Sequence, residues 1–145
     1  MSQSSTPSDS RSTEAPESLP RLLARMRFKR DDSLVLGPGR VDLMQAIVAT
    51  GSISAAARSM GMSYRRAWLL VEEINSAFAR PLVASVSGGK HGGGARLTDT
   101  GRAVVAAYQR MVVAADKAMA HDRVLIEALL ARTAPPATKK KSGTK

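Results

Sequence analysis

The chain has 145 residues and no cysteine, which excludes both a disulfide framework and a thiolate metal site. Its formal net charge is +10 and aromatic residues make up 3% of it, so any core must be filled by aliphatics, alanines and its seven methionines. No stretch approaches the roughly 18 apolar residues of a spanning helix, and the N-terminus lacks the apolar run of a secretory leader, so one small domain in a reducing, cytoplasmic setting is expected.

Charge is unevenly placed. Residues 1–20 carry −2 and residues 133–145 carry +4, leaving +8 on residues 21–132. A basic folded surface fits a polyanion, nucleic acid or anionic lipid, and the chain lacks the basic amphipathic helix with large aromatics that a lipid surface calls for.

Residues 1–20, rich in Ser, Thr, Pro and Glu, cannot offset their ordering entropy and are expected to be disordered. Arg25-Met26-Arg27-Phe28-Lys29-Arg30 alternates charged with apolar side chains, Asp31-Asp32 gives a turn signal, and Leu34-Val35-Leu36 follows, predicting a short hairpin with one basic face. Gly37-Pro38-Gly39 stops that hairpin, and Val41–Ala49 reads as a helix with residues 43, 44, 47 and 48 on its apolar side. Thr50-Gly51 ends the helix, and Ser52 is placed to cap the next one.

From Ser52 to Trp68 the pattern is two helices joined at one glycine. Ile53, Ala56, Ala57 and Met60 recur at helical spacing, Gly61 can adopt a positive φ, and Met62, Ala67 and Leu70 continue the stripe on a helix predicted to run from Ser63 to Phe78 and to stop before Pro81. The small Ala57 lets the two helices cross closely. Helix pairs of this kind occur in unrelated bundles, but polar Ser63 at the entry and Arg65-Arg66 in the first turn suit a helix that offers its N-terminal residues to base edges and phosphates. Trp68, the single tryptophan, is expected in the core, whereas Tyr64 is placed with the contact residues.

Residues 82–86 read as a strand, Ser87–Gly94 as a flexible loop and Ala95-Arg96-Leu97 as the returning strand, which makes a wing directly after the candidate reading helix. The loop Gly88-Gly89-Lys90-His91-Gly92-Gly93-Gly94 lacks the Gly-Lys-Ser/Thr ending of a phosphate cradle and is not followed directly by a helix. Its Lys90 and His91, with Arg96, are candidate backbone or minor-groove contacts. Thr98 can cap a final helix of about residues 99–131. Apolar positions recur along it at heptad-like spacing, interrupted by Asp122, and a domain this small cannot cover such a stripe. A homodimer through Val104, Val105, Tyr108, Met111, Val112, Ala115, Met119, Leu125 and Leu129 is therefore expected. Residues 133–145, with Pro135-Pro136 and Lys139-Lys140-Lys141, read as a disordered basic tail, either solvated or in non-specific contact with phosphates.

The expected fold is mainly α with small β-hairpins, a winged helix-turn-helix over residues 21–132 with a long C-terminal dimerisation helix. DNA-contact candidates are Ser52, Ser54, Ser63, Tyr64, Arg65, Arg66, Lys90, His91 and Arg96. His91 and His121 are far apart and have no ligand partners at metal spacing, no carboxylate pair lies in an apolar context, and no nucleophile motif occurs, so neither catalysis, a metal nor a cofactor is expected. The class expected is a sequence-specific, DNA-binding transcriptional regulator in the cytoplasm, associated with the nucleoid. An architectural DNA-binding protein and a heterodimerising partner of a larger regulator stay open as alternatives.

Thr50-Gly51-Ser52-Ile53-Ser54, Ser63-Tyr64-Arg65 with Ala67-Trp68, and Gly88-Gly89-Lys90 through Gly92-Gly93-Gly94 with Leu97-Thr98 and Gly101 come in one order. Over about residues 25–130 the chain thereby resembles the DNA-binding half of ModE-type molybdate-responsive transcriptional regulators, relatives of the LysR-type winged helix-turn-helix. The resemblance implies a dimeric repressor or activator on a pseudo-palindromic operator. Two departures go with it: Arg66 and His91 stand where the family pattern is smaller or glycine, and a lysine-rich tail stands where molybdate sensors carry an oxyanion-binding region. No molybdate binding is expected from this chain alone, since the clustered donors visible in the sequence are the Gly88–Gly94 loop and the Thr98–Thr100 turn.

Overall fold

The computed structural model describes residues 20–89 and 92–131, and the expectations for residues 1–19 and 133–145 and for Lys90 and His91 lie outside them. Strands β1 (Phe28–Arg30) and β2 (Ser33–Leu36) form the first antiparallel hairpin. Asp31 turns it at φ 53°, a left-handed conformation that aspartate tolerates better than most residues.

Helix α1 (Pro38–Thr50) begins inside the Gly-Pro-Gly run that was expected only to stop the hairpin. Proline at the first helical position has its φ already set and lacks an N–H where none is needed. Val41, Leu43, Met44 and Ile47 are buried, whereas Val48, expected on the apolar side, is 63% exposed. Gly51 closes the helix at φ 78°, and its N–H donates to the Ile47 carbonyl at 2.8 Å. Helix α2 (Ile53–Ser59) starts two residues later, with Ser52 Oγ accepting from Ala55 N–H at 3.0 Å.

Gly61, at φ 67°, makes the turn into α3 (Tyr64–Ala77), and the Met62 N–H reaches back to the Ala57 carbonyl at 3.0 Å. Ala56, Ala57 and Ala67 are buried, small side chains that let α2 and α3 approach closely. The Asn75 side chain then fastens α3 to the backbone of Leu82 and Val83. Its Oδ1 accepts from the N–H groups of Leu82 (2.9 Å) and Val83 (3.0 Å), and its Nδ2 donates to the Val83 carbonyl at 3.0 Å.

Strands β3 (Val83–Gly89) and β4 (Gly92–Leu97) form the wing in antiparallel register, Val83 opposite Leu97 and Ser85 opposite Ala95. Val83, Ala95 and Leu97 turn inward and Arg96 outward, the alternation of a half-buried strand. Glycines expected as loop are thus partly ladder. At the base of β4 the Ala95 N–H donates to the Gly51 carbonyl at 2.9 Å, and a Cβ on Gly94 would stand 2.7 Å from that same oxygen, so only glycine lets the strand lie this close to the α1–α2 junction.

Helix α4 (Asp99–Leu129) is capped by Thr98, whose Oγ1 accepts from Gly101 N–H at 3.0 Å and donates to the Pro81 carbonyl at 2.7 Å. Leu43, Met44, Ile47, Ile74 and Leu82 are the largest fully buried side chains, at the centre of a core that draws on α1, α3 and the wing. These belong to one compact unit, Leu23–Ala120. In the other unit, Leu22 N–H donates to Glu127 Oε1 at 2.9 Å, and Arg123 approaches the same oxygen at 3.7 Å. No helix among the described residues is long and apolar enough to cross a membrane.

Candidate nucleic-acid interface

Successive residues of an α-helix are turned by about 100°, so the buried trio Ala67, Val71 and Ile74 fixes which side of α3 faces away from the core. Arg65 and Leu69 lie opposite that trio. Tyr64 and Trp68 form one flank of the outward face, and Arg66 and Glu73 form the other. Tyr64 is 57% exposed, Trp68 44% and Leu69 46%. The expectation of a buried Trp68 is therefore corrected: aliphatics and alanines close the core, and the indole sits one turn from Tyr64 on the open side. A surface carrying two aromatics, an arginine and a leucine offers apolar contact and charge together, as base edges and phosphates require.

Ser52 and Ser63 sit at the entries of α2 and α3. Ser63 Oγ accepts from Arg66 N–H at 3.1 Å, so both serines use their oxygens as helix caps and keep a hydroxyl proton for another acceptor. Ser54 is exposed in the first turn of α2. Arg96 is exposed on the wing opposite Ala84, while Lys90 and His91 fall outside the described residues.

Arg65 and Arg66 do not share a setting. Arg66 borders a cavity of about 550 Å³ that Arg25, Arg27, Arg40 and Glu73 also line. Arg40 Nη2 donates to Glu73 Oε2 at 2.8 Å, joining α1 to α3, with the Arg40 side chain 11% exposed. Sequence reasoning missed this donor cluster, as it missed the Asn75 strap, because its members stand at residues 25, 27, 40 and 66 and meet only in the fold.

The expected dimerisation residues divide along α4. Val105 and Tyr108 are buried in the chain's own core and Val104 packs against it, so these three are removed from the face available to a partner. The first turns of α4 lie against the domain, and the periodic stripe by itself does not reveal where that contact ends. Tyr108 Oη donates to the Met26 carbonyl at 2.8 Å, and its ring meets Phe28 edge-on at 6.3 Å. Burial raises the Tyr108 pKa, the Asp42 carboxylate raises it further, and Arg25 opposes both. Met111, Val112, Met119, Leu125 and Leu129 are exposed, together with Val113, Val124 and Ile126, which the expected interface does not include. Ala115 is half-buried.

Comparison with known proteins adds to this geometry. Residues 39–102 match the family model described as the bacterial regulatory helix-turn-helix protein, lysR family. The chain is 41% identical over 93 residues to the molybdenum transport protein ModE of Azotobacter vinelandii, covering 64% of this chain and 34% of that one. It is 52% identical over 73 residues to the molybdenum-pterin-binding protein MopB of Rhodobacter capsulatus, covering 50% of this chain and 27% of that one. With the DNA-binding transcriptional dual regulator ModE of Escherichia coli the identity is 36% over 93 residues, 64% of this chain and 36% of the relative. The chain thus spans about a third of the length of the curated relatives it matches. The matched segment takes in α1, the α2–turn–α3 pair, the wing and the cap of α4. Over residues 39–102 the chain is thus similar to the bacterial regulatory helix-turn-helix of the lysR family, and over the same segment to ModE regulators.

Proposed function

We propose that the chain is a homodimeric, sequence-specific DNA-binding regulator of transcription, acting on a pseudo-palindromic operator without catalytic activity. The observation that carries this reading is the outward face of α3, where Tyr64, Arg65, Trp68 and Leu69 stand free beside a basic wing. In this reading α3 lies in a major groove with Arg65 at base edges. Ser52, Ser54, Ser63 and Arg66 lie toward phosphates, and Arg96, with Lys90 and His91, contacts the neighbouring backbone. The net charge of +10 supports a polyanionic partner. Dimerisation uses the exposed apolar side of α4, from Met111 and Val112 through Ala115 and Met119 to Leu125 and Leu129, because two such sides remove each other from water.

Selection of bound sequences from random duplexes, followed by fluorescence anisotropy on the enriched site, tests the reading. A palindromic site bound at least a thousandfold more tightly than random DNA supports it. Equal affinity for both in elevated salt replaces it with an architectural role. The molybdenum-related names of the relatives belong to those proteins. For this chain we infer DNA binding that needs no molybdate, checked by adding molybdate to the same anisotropy assay.

A further inference from the structure

The cavity beside α3 concentrates positive charge in a way that the helix-turn-helix alone does not require. Four arginines, Arg25, Arg27, Arg40 and Arg66, line it, and Glu73 is the one acidic residue in that lining. Glu73 holds one nitrogen of Arg40, and the other two, Nε and Nη1, are buried with no hydrogen-bond partner among the described residues. A buried cationic donor without an acceptor is unfavourable, and bringing three further arginines around the same space adds repulsion. The N-terminus of α1 opens on the cavity as well. Gly37, Pro38 and Gly39 line it, and Gly37 caps the helix with no side-chain oxygen, so the first N–H groups of α1 lack the acceptor that a Ser or Asp would provide. Guanidinium forks, free helix N–H groups and the positive end of the α1 dipole all select the same partner.

We propose that this cavity binds a phosphate-class oxyanion, held by Arg25, Arg27, Arg40 and Arg66 with the N-terminus of α1. The anion bridges arginines that otherwise repel, and its charge offsets that of the Arg40 guanidinium, whose Nε and Nη1 are closed off from solvent. The same chemistry has two sources: free phosphate, or a backbone phosphodiester of bound duplex next to the groove that α3 enters. The site itself does not depend on the DNA-binding reading, but its second source does.

The test titrates inorganic phosphate into the full chain at constant ionic strength, set with sodium chloride, and follows backbone amide and arginine Nε resonances. Saturable shifts at Gly39, Arg40 and the four arginines are expected in the wild type. The Arg25→Gln/Arg27→Gln double variant, changed only at exposed residues, binds phosphate at least tenfold more weakly, and Arg65→Gln, on the outward face, is unchanged. Thermal unfolding of the double variant at matched ionic strength, close to that of the wild type without phosphate, certifies that it folds. If a phosphodiester fills the cavity, the double variant also lowers the salt slope of DNA binding by about one for every sequence, since one phosphate contact contributes about 0.9. Saturable phosphate binding with an unchanged slope assigns the cavity to a free anion. Absence of saturation in the wild type, or equal phosphate binding by wild type and double variant, overturns the proposal. Loss of the DNA reading shows separately, as unchanged DNA affinity in Arg65→Gln with phosphate binding intact.

Discussion

Replacing Gly101 by alanine isolates the contact that seats α4. A Cβ at this position would lie 2.1 Å from the Leu82 carbonyl oxygen, 3.0 Å from its carbon and 3.2 Å from its Cα. Carbon and oxygen do not approach below about 3 Å without displacement, and both partners are backbone, so α4 or the start of β3 must move by roughly 1 Å. The Leu82 carbonyl also accepts from Thr98 N–H at 2.9 Å, a bond worth about 1 kcal/mol that such a movement breaks. Overpacking adds about 1–3 kcal/mol, and the better helix propensity of alanine returns about 1 kcal/mol. The net expectation is destabilisation by about 1–3 kcal/mol. Gly39 is the control, because a Cβ there meets nothing within 4 Å, so Gly39→Ala should be neutral or slightly stabilising. Urea unfolding of both variants followed by circular dichroism measures the difference. A Gly101→Ala protein as stable as the wild type would refute the close packing of α4 on Leu82.

The wing base offers a parallel case: Gly94→Ala forces the strand off the Gly51 carbonyl, so the Ala95 amide should exchange with solvent faster, and unchanged protection there argues against the docking. Val112→Glu, on the exposed side of α4, should shift the chain to monomer in light scattering while leaving it folded, whereas Val105→Glu should unfold it; a dimer indifferent to Val112→Glu moves the interface elsewhere. The raised pKa of Tyr108 means that the native state holds the phenolic proton longer than the unfolded chain, whose tyrosine titrates near 10.0. The stability from this group is then fully present below pH 10 and declines as the pH climbs through the raised native value, a decline that Tyr108→Phe should lack in alkaline unfolding curves. For α3, Arg65→Ala should relax specificity at one operator position at a cost of roughly 1–3 kcal/mol, while Arg66→Ala should weaken all sequences alike; the opposite assignment in a base-substitution series exchanges their roles.

Most of the helix-turn-helix was legible because its determinants are local. Gly51 and Gly61 mark the two positive-φ positions, Ser52, Ser63 and Thr98 cap the helices they precede, and the alanine spacing foretells the close crossing of α2 and α3. What escaped depends on neighbours distant in sequence. Trp68 looked like core by its size alone, but the buried arc of α3 was already filled by Ala67, Val71 and Ile74. Val105 and Tyr108 fall in the same apolar stripe as Met111 and Val112, and only the packed hairpin and the Met26 carbonyl before it separate a residue of the chain's own core from one left open. Arg25 and Arg27 were read as one face of a hairpin, with nothing local to join them to Arg40 and Arg66.

Two backbone carbonyls organise the parts of the interface. The Leu82 carbonyl accepts from Thr98 N–H and closes against Gly101, so it joins the end of the wing to the start of α4. On either side of that carbonyl, the N–H groups of Leu82 and Val83 are held by Asn75 at the far end of α3. The Gly51 carbonyl, between α1 and α2, takes the Ala95 N–H from the opposite wing strand. Helix α3, the wing and α4 are therefore tied at main-chain groups, α3 through the Asn75 side chain and the others through backbone bonds and close backbone approach. Arg65 and Arg96 sit on elements joined in this way, so their separation is set by Asn75, Gly94 and Gly101, none of which lies on the outward face of α3. Substitutions at those three positions should thus lower affinity for every DNA sequence together, whereas a change at Arg65 alters the preference among sequences.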